Sequence, residues 1–214
     1  MTRARRLAFF CALLGSCVAS GALAQGSNAT QKAAAEAAFQ AGVELMARDK
    51  PAEACAKFES SQQMDPALGT QIRLADCYET IGKTASAWAL FLEVRSAAAV
   101  QGRSDREGIA AERAKSLELR LSKLELHVEA KVSGQELKLN GVSIPAATWD
   151  APLPVDPGKQ RIEVSAPGYK PWSTEVDVTV GPSSQRVKVP GLVALPPEAK
   201  PTLVAPGPAA PVRC

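Results

Sequence analysis

After Ser122 the spacing of the apolar residues changes from a period of 3.6 to a period of 2. Within 104–121 they recur at intervals of three and four, as on one face of a helix. Within 124–128 they alternate with polar residues, as along a half-buried strand. We therefore predict an α+β chain, with antiparallel helical hairpins in residues 25–122 and a small antiparallel β-sandwich in residues 123–192.

The β half contains several predicted tight turns. Pro157-Gly158 and Pro167-Gly168 each read as a turn, because Pro presets the first turn position and Gly tolerates the positive φ that follows. Between the two turns, Ile162 and Val164 alternate with polar residues and predict a strand that buries one face. Asn140-Gly141 predicts a further hairpin. From these signals we predict five or six short strands and no helix in the β half.

The run Ala166-Pro167-Gly168-Tyr169, with the turn–strand–turn unit around it, resembles the PEGA domain, a small β module of bacterial envelope proteins. The resemblance extends from Lys123 to about Leu192. Ala151-Pro152 replaces the Thr-Pro usual in that family. The resemblance implies a module that docks to another envelope component.

In the helical half, two segments match each other at a constant offset of 33 residues. The matched pairs are Gly42 with Ala75, Leu45 with Tyr78, Ala54 with Ala87, and Phe58 with Phe91. This spacing resembles the tetratricopeptide repeat, in which small residues let two helices approach closely and large ones fill the space between layers. The predicted helices cover 31–48, 51–64, 67–81 and 84–100, and a fifth begins with a capping box from Ser104 to Glu107.

The same resemblance implies a binding groove, because the first helix of each hairpin in such repeats faces partner segments. The groove residues would be Glu36, Val43 and Met46 from the first unit and Ile72, Asp76 and Glu79 from the second. Phe39 would be a further groove residue, and the alternative for Phe39, Val43 and Met46 is that they belong to the core.

Three aromatic residues of the β half, Trp149, Tyr169 and Trp172, are candidates for a binding patch. Aromatic side chains in turns stack on sugars or peptides. They also close the ends of small β cores, and this second interpretation is the favoured one.

The start of the chain predicts export. A basic beginning, an apolar run over 7–18 and the small residues ending at Ala24 are typical of a secretory signal peptide, here 1–24. We expect a periplasmic or cell-envelope location. The alternative is a lipoprotein, because Leu14-Gly15-Ser16-Cys17 resembles a lipobox. Without the three signal arginines, the chain has 22 basic and 22 acidic residues, and this balance argues against nucleic-acid binding.

The sequence does not decide whether two of the cysteines form a disulfide. Beyond the signal, only Cys55, Cys77 and Cys214 remain, and an odd number is not a disulfide framework. Cys55 and Cys77 lie on neighbouring predicted helices and either pair or serve as two small core residues, the latter being favoured. Residues 193–214 are rich in proline and predict an extended linker or tail without ladder pairing.

The sequence shows no pattern expected of an enzyme. His127 is the single histidine, no glycine loop suits a phosphate, and we predict no catalytic residue, no cofactor and no metal site. We expect a non-enzymatic envelope scaffold or adaptor that binds a partner protein through its helices. The alternative is a carbohydrate- or peptidoglycan-binding module with the helices as a spacer. Membrane attachment would require lipidation of Cys17 or a segment beyond this chain.

Overall fold

A computed structural model describes residues 21–196, with side chains from residue 28 onwards. The helices are α1 (Gly21–Ala47), α2 (Pro51–Met64), α3 (Leu68–Thr80), α4 (Thr84–Val100) and α5 (Ser104–Glu118). The strands are β1 (Ser122–Val128), β2 (Glu136–Leu139), β3 (Val142–Ser143), β4 (Pro152–Val155), β5 (Gly158–Ser165), β6 (Trp172–Val178) and β7 (Ser183–Val189). Helices followed by strands confirm the predicted α+β class.

The predicted signal peptide lies largely outside the described residues, and so do Cys17, Cys214 and the tail from residue 197. The chain divides into two compact units, Met1–Cys77 and Tyr78–Cys214. α1, α2 and most of α3 belong to the first unit, whereas α4, α5 and all strands belong to the second. No helix within residues 21–196 is long and apolar enough to cross a membrane.

In the first unit, α1 packs against α2 at a glycine. A Cβ atom built on Gly42 would lie 2.7 Å from Cε1 of Phe58, so only glycine lets the Phe58 ring approach this closely. Phe58 and Ala54 are buried, and the Phe39 ring lies 5.5 Å from the Phe58 ring, centroid to centroid. The predicted close approach of the helices is therefore present at this position.

A disulfide joins Cys55 on α2 to Cys77 on α3, with 5.6 Å between the two Cα atoms. Both residues are almost fully buried. This corrects the favoured prediction of two unpaired core cysteines. Residue spacing could not decide the question, because the pairing depends on how α2 and α3 pack together.

In the second unit, α4 packs against α5 through small and apolar side chains. Ala87, Phe91, Ala110, Ala114 and Leu117 are all buried. The predicted capping box of α5 is not formed: Arg103 occupies the capping position and makes no side-chain cap hydrogen bond. The backbone N–H of Glu107 donates to the carbonyl of Arg103, so Ser104 already lies inside the first turn.

The strands form two sheets, in the orders β4-β1-β7 and β3-β2-β5-β6. All pairings are antiparallel except β1 with β7, which run parallel. The antiparallel expectation is corrected for this pair. β1 and β7 lie at opposite ends of the β portion, so no tight turn fixes their relative direction. Pro152 and Pro154 lie on the edge strand β4, where a missing N–H costs no ladder bond.

One apolar core lies among the β strands and follows the predicted period of two. Its buried members are Leu124, Leu126, Val128, Leu137, Trp149, Val155, Ile162, Val164, Val178, Val187 and Val189. Both residues of the Asn140-Gly141 hairpin have positive φ, 51° and 81°, which confirms the predicted tight turn between β2 and β3. At the second Pro-Gly turn, Gly168 has φ 78° and the Tyr169 N–H donates to the Ala166 carbonyl at 3.2 Å.

The beginning of the predicted tail pairs with this second turn. The Lys170 N–H donates to the Val193 carbonyl at 2.8 Å, and the Leu195 N–H donates to the Gly168 carbonyl at 2.7 Å. Tyr169 and Ala194 form an antiparallel bridge between these bonds. The prediction of no ladder pairing is thus wrong for residues 193–195, which precede Pro196 and keep their N–H groups.

Candidate functional site

The predicted groove residues of α1 lie on the first unit and differ in exposure. Glu36 is exposed and its Oε1 accepts a hydrogen bond of 2.7 Å from Gln40. Val43 is 41% exposed near the end of α1, whereas Met46 is half-buried. Phe39 is half-buried and contacts the Phe58 ring, so it belongs at least in part to the α1–α2 packing. Val43 is therefore the member of this set that exposes the most apolar surface.

The predicted groove residues of α3 are more enclosed. Ile72 and Asp76 are half-buried. Glu79 is held within the second unit by two arginines: its Oε2 lies 2.8 Å from Arg113 and its Oε1 lies 2.8 Å from Arg120. A partner that uses the Glu79 carboxylate would compete with both guanidinium groups.

A groove between α4 and α5, with a volume of about 570 Å³, was not anticipated from the sequence. Trp88 and Leu92 of α4 line it together with Ala111 and Ala114 of α5, and its charged lining is formed by Arg95, Lys115 and Glu118. Trp88 is half-buried. The sequence signal was available, because a tryptophan and a leucine four residues apart lie on one helix face.

The three aromatic residues of the β half occupy different environments. Trp149 is 7% exposed, packs in the core and donates its Nε1–H to the Ile144 carbonyl at 2.9 Å. This agrees with the favoured interpretation, a residue that closes the β core, and goes against the alternative of a surface patch shared with the other two. Tyr169 is half-buried in the turn that pairs with residues 193–195. Trp172 is half-buried at the start of β6 and packs partly against the core.

Trp172 also lines a cavity of about 350 Å³ on the β3-β2-β5-β6 sheet. The other lining residues are Lys138, Arg161, Glu163, Val164, Ser165, Pro171 and Ser173. The strand register places Glu163 of β5 directly between Lys138 of β2 and Ser173 of β6. The same register pairs Trp172 with the buried Val164, so the Trp172 side chain lies on the core face of the sheet and the charged and hydroxyl groups lie on the other face.

The charges of this cavity are largely paired within the sheet. Arg161 contacts the Glu163 carboxylate at 2.9 Å, and Lys138 contacts Glu136 at 3.4 Å. In the part of the chain that the structure describes, the hydroxyls of Ser165 and Ser173 make no side-chain hydrogen bond. The cavity therefore offers balanced charge and two hydroxyls free to bond a ligand.

His127, which the sequence left without a partner, lies beside a carboxylate. Its Nδ1 is 3.0 Å from Oδ1 of Asp150, and Lys131 donates to Oδ2 of the same carboxylate at 3.2 Å. The pKa of the Asp150 carboxyl is lowered, chiefly by the hydrogen bond from Lys131. Hydrogen bonds from the Val128 N–H and His127 lower the pKa further, whereas desolvation raises it. Within residues 21–196, no three His, Cys, Asp or Glu side chains converge as metal ligands.

A second polar contact lies between α4 and the turn that precedes β5. Asp156 accepts hydrogen bonds from the backbone N–H and the hydroxyl of Ser86, at 2.9 and 2.5 Å. Gln160 is buried, donates to the Asp156 carbonyl at 2.8 Å and accepts from Asn140 at 2.7 Å. A shallow cavity of about 350 Å³ adjoins these residues. Because the polar groups satisfy one another, we interpret this contact as structural.

Comparison with protein families matches residues 124–190 to the PEGA domain. The matched residues extend from β1 to the end of β7 and so include both sheets. A search of curated proteins finds none that matches the chain. The match supports the PEGA part of the sequence prediction. The five helices are consistent with repeats, while the tetratricopeptide assignment and export stay predictions.

Proposed function

We propose that this protein is a non-enzymatic scaffold or adaptor of the cell envelope. The helices bind a partner protein, and the β portion docks to an envelope component. The match of residues 124–190 to the PEGA domain is the observation that carries the proposal, because that domain is associated with the envelope. Function inferred from a module rests on likeness and requires a direct test.

The disulfide supports an envelope location. Disulfides persist in oxidising compartments such as the periplasm and are rare in the bacterial cytosol. Cys55 and Cys77 are paired and almost fully buried, which suits a stabilising bond better than a reactive one. Together with the predicted signal peptide, this pair favours export to an oxidising compartment.

Two apolar surfaces of the helices support protein binding. One is around Val43, which is 41% exposed on α1. The other is the groove that Trp88 and Leu92 line between α4 and α5. Tryptophan is enriched at the centres of protein interfaces, where it supplies much of the binding energy. The two surfaces lie on different units and are tested separately.

The experiment is recovery of partners from the envelope fraction with the full-length chain. Val43→Arg introduces a charge on the exposed face of α1, and Ala56→Arg, at an exposed position on α2, is its matched control. Trp88→Arg tests the second surface, with Val100→Arg, 89% exposed at the end of α4, as its control. We expect one test variant to lose a partner that both controls retain. The same partners with every variant would contradict protein binding by the helices.

A further inference from the structure

We propose that the free edge of β6 binds an extended segment of a partner protein in which basic and apolar residues alternate. This inference rests on the proposed function, since it names the chemistry of the envelope component to which the β portion docks. In the described part of the chain, β6 ends the sheet β3-β2-β5-β6 and is paired only with β5. An edge strand presents backbone N–H and C=O groups to which a further strand can add.

The hydrogen bonds of β5 show which backbone groups of β6 face this edge. The Asn140 N–H donates to the Arg161 carbonyl at 2.8 Å, and the Arg161 N–H donates to the Asn140 side chain at 2.8 Å. Both backbone groups of Arg161 thus point away from β6, so its partner Glu175 belongs to a non-hydrogen-bonded pair. The N–H and C=O of Glu175 therefore point to the free edge, and the alternation along the strand extends this to Ser173 and Asp177.

The β6 edge lacks the features that close other edges of the two sheets. β4 contains Pro152 and Pro154, which have no N–H to donate to an added strand, and β3 has only two residues. β6 has seven residues, Trp172–Val178, and no proline. Its outward N–H and C=O groups can therefore pair with a further strand along several residues.

The side chains along this edge favour a basic strand. Glu175 and Asp177 are exposed, and within residues 28–196 neither carboxylate forms an ion pair. Arg161, which lies opposite Glu175, contacts Glu163 instead, at 2.9 Å. Side chains directly opposite each other in a ladder interact, so an antiparallel strand with Lys or Arg at alternate positions would place a cation beside each carboxylate.

The intervening residues of β6 favour apolar side chains in the added strand. Trp172, Thr174 and Val176 alternate with the acidic positions and are all half-buried. Trp172 and Val176 pack against the β core and leave part of their surface uncovered at its edge. Apolar residues between the cations of an added strand would cover this remaining surface.

A second copy of the chain suits this edge less well than a basic strand. Twofold antiparallel pairing of β6 with β6 would place acidic side chains of the two copies opposite each other, and like charges in a ladder are destabilising. β7 is the other long edge strand and carries Arg186 and Lys188. Arg186 already contacts Glu125 at 2.7 Å, so pairing through β7 would have to share this cation.

The test is calorimetric titration of the full-length chain with an acetylated and amidated peptide of sequence Thr-Lys-Val-Lys-Val-Lys-Thr. We expect saturable binding, and we expect none for the same peptide with glutamate in place of each lysine. N-methylation of the lysine amides, which face β6, should weaken binding about tenfold or more, because it removes main-chain hydrogen bonds. N-methylation of the valine amides, which face away from β6, is the matched control and should leave binding unchanged.

Variants of β6 separate charge recognition from loss of folding. Glu175→Lys/Asp177→Lys should weaken binding of the lysine peptide about tenfold or more, because two opposite-charge neighbours become like-charge neighbours. This variant should bind the glutamate peptide better than the original chain does, which an unfolded chain would not. Glu112→Lys/Glu129→Lys makes the same change of net charge at exposed positions outside the strands and should bind like the original chain.

Two results would overturn the proposal. One is failure of the lysine peptide to bind, or binding that the reversed charges or the lysine N-methylation leave unaltered. The other is formation of concentration-dependent oligomers that Glu175→Lys/Asp177→Lys abolishes, because a second copy would then occupy the edge. Either result with partner recovery through the helices intact would leave the scaffold proposal standing. Loss of partner recovery with peptide binding intact would leave the assignment of the β6 edge standing.

Discussion

The carboxylate of Asp156 accepts two hydrogen bonds from Ser86, one from its backbone N–H at 2.9 Å and one from its hydroxyl at 2.5 Å. Ser86 is in the first turn of α4, whose capping residue Lys83 makes no side-chain cap bond. A side chain from the β4–β5 turn therefore satisfies a helix N-terminus that its own sequence leaves uncapped.

We expect Asp156→Ala to lower the free energy of unfolding by about 1–2 kcal/mol, the usual cost of removing a cap. Denaturant unfolding measures this loss. The single variant Ser86→Ala and the double variant Asp156→Ala/Ser86→Ala complete a double-mutant cycle, which gives the coupling energy between the two residues. Asp177→Ala, an exposed aspartate on β6, is the control and should change stability by less than about 0.5 kcal/mol. If the losses of unfolding free energy in the two single variants add up to the loss in the double variant, the contact between Asp156 and Ser86 does not stabilise the fold.

Glycine substitutions in two helices should have opposite effects. Alanine is favoured over glycine in a helix by about 1 kcal/mol. At Gly108 of α5 an added Cβ meets nothing within 4 Å, so Gly108→Ala should raise the free energy of unfolding by about 0.5–1 kcal/mol. At Gly42 the Cβ would lie 2.7 Å from the Phe58 ring, so Gly42→Ala should lower it by about 1–3 kcal/mol.

Thermal unfolding of the two alanine variants beside the original chain checks this pair. If Gly42→Ala stabilised the chain as much as Gly108→Ala, the Phe58 ring would have moved aside without loss of unfolding free energy. This result would contradict close packing of α1 on α2.

Removing the disulfide should destabilise the first unit. Closing a chain loop of 22 residues is worth about 3 kcal/mol in the chain-entropy account. Cys55→Ala/Cys77→Ala should therefore unfold at a lower temperature than the oxidised chain. Reductant should lower the unfolding temperature of the original chain towards that of the variant and leave the variant unchanged. A response of the variant to reductant would show that another thiol is responsible.

The contribution of Asp150 should depend on pH. Its pKa is lowered in the fold, so folding favours the ionised form. The stabilisation is fully present above the unfolded pKa, near 4, and is lost as the pH falls through the lower folded value. Asp150→Asn should thus be less stable than the original chain at pH 7, and the difference should shrink as the pH approaches 3.

Asparagine suits this comparison because Asp150 has φ 65°, a conformation that Asn tolerates. Lys131→Met removes the largest cause of the lowered pKa and should reduce the effect of Asp150→Asn at pH 7. A difference that is independent of pH would assign the effect of Asp150→Asn to something other than charge.

Much of the fold could be predicted because its signals are local. The switch of period near Ser122 and the positive φ values at Asn140 and Gly141 depend on neighbouring residues alone. The α2 and α4 limits were also predicted correctly, at 51–64 and 84–100. In each case a short stretch of chain contains the whole signal.

What the sequence left open depends on long-range packing. The Cys55–Cys77 pair, the parallel direction of β7 against β1 and the burial of Trp149 all arise from contacts between separate elements. The candidate site divides in the same way. Trp172 was recognised as an aromatic candidate, but its packing against the β core was not, because that contact forms only when β6 pairs with β5.

The most direct test of the scaffold proposal is photo-crosslinking in intact cells, with a photoreactive amino acid at position 43 of the full-length chain and, as a control, at position 56. We predict one dominant adduct with an envelope protein from position 43 that is absent from position 56. The same unselective adducts at both positions, or adducts with cytosolic proteins alone, would contradict the proposal that the helices bind a partner in the envelope.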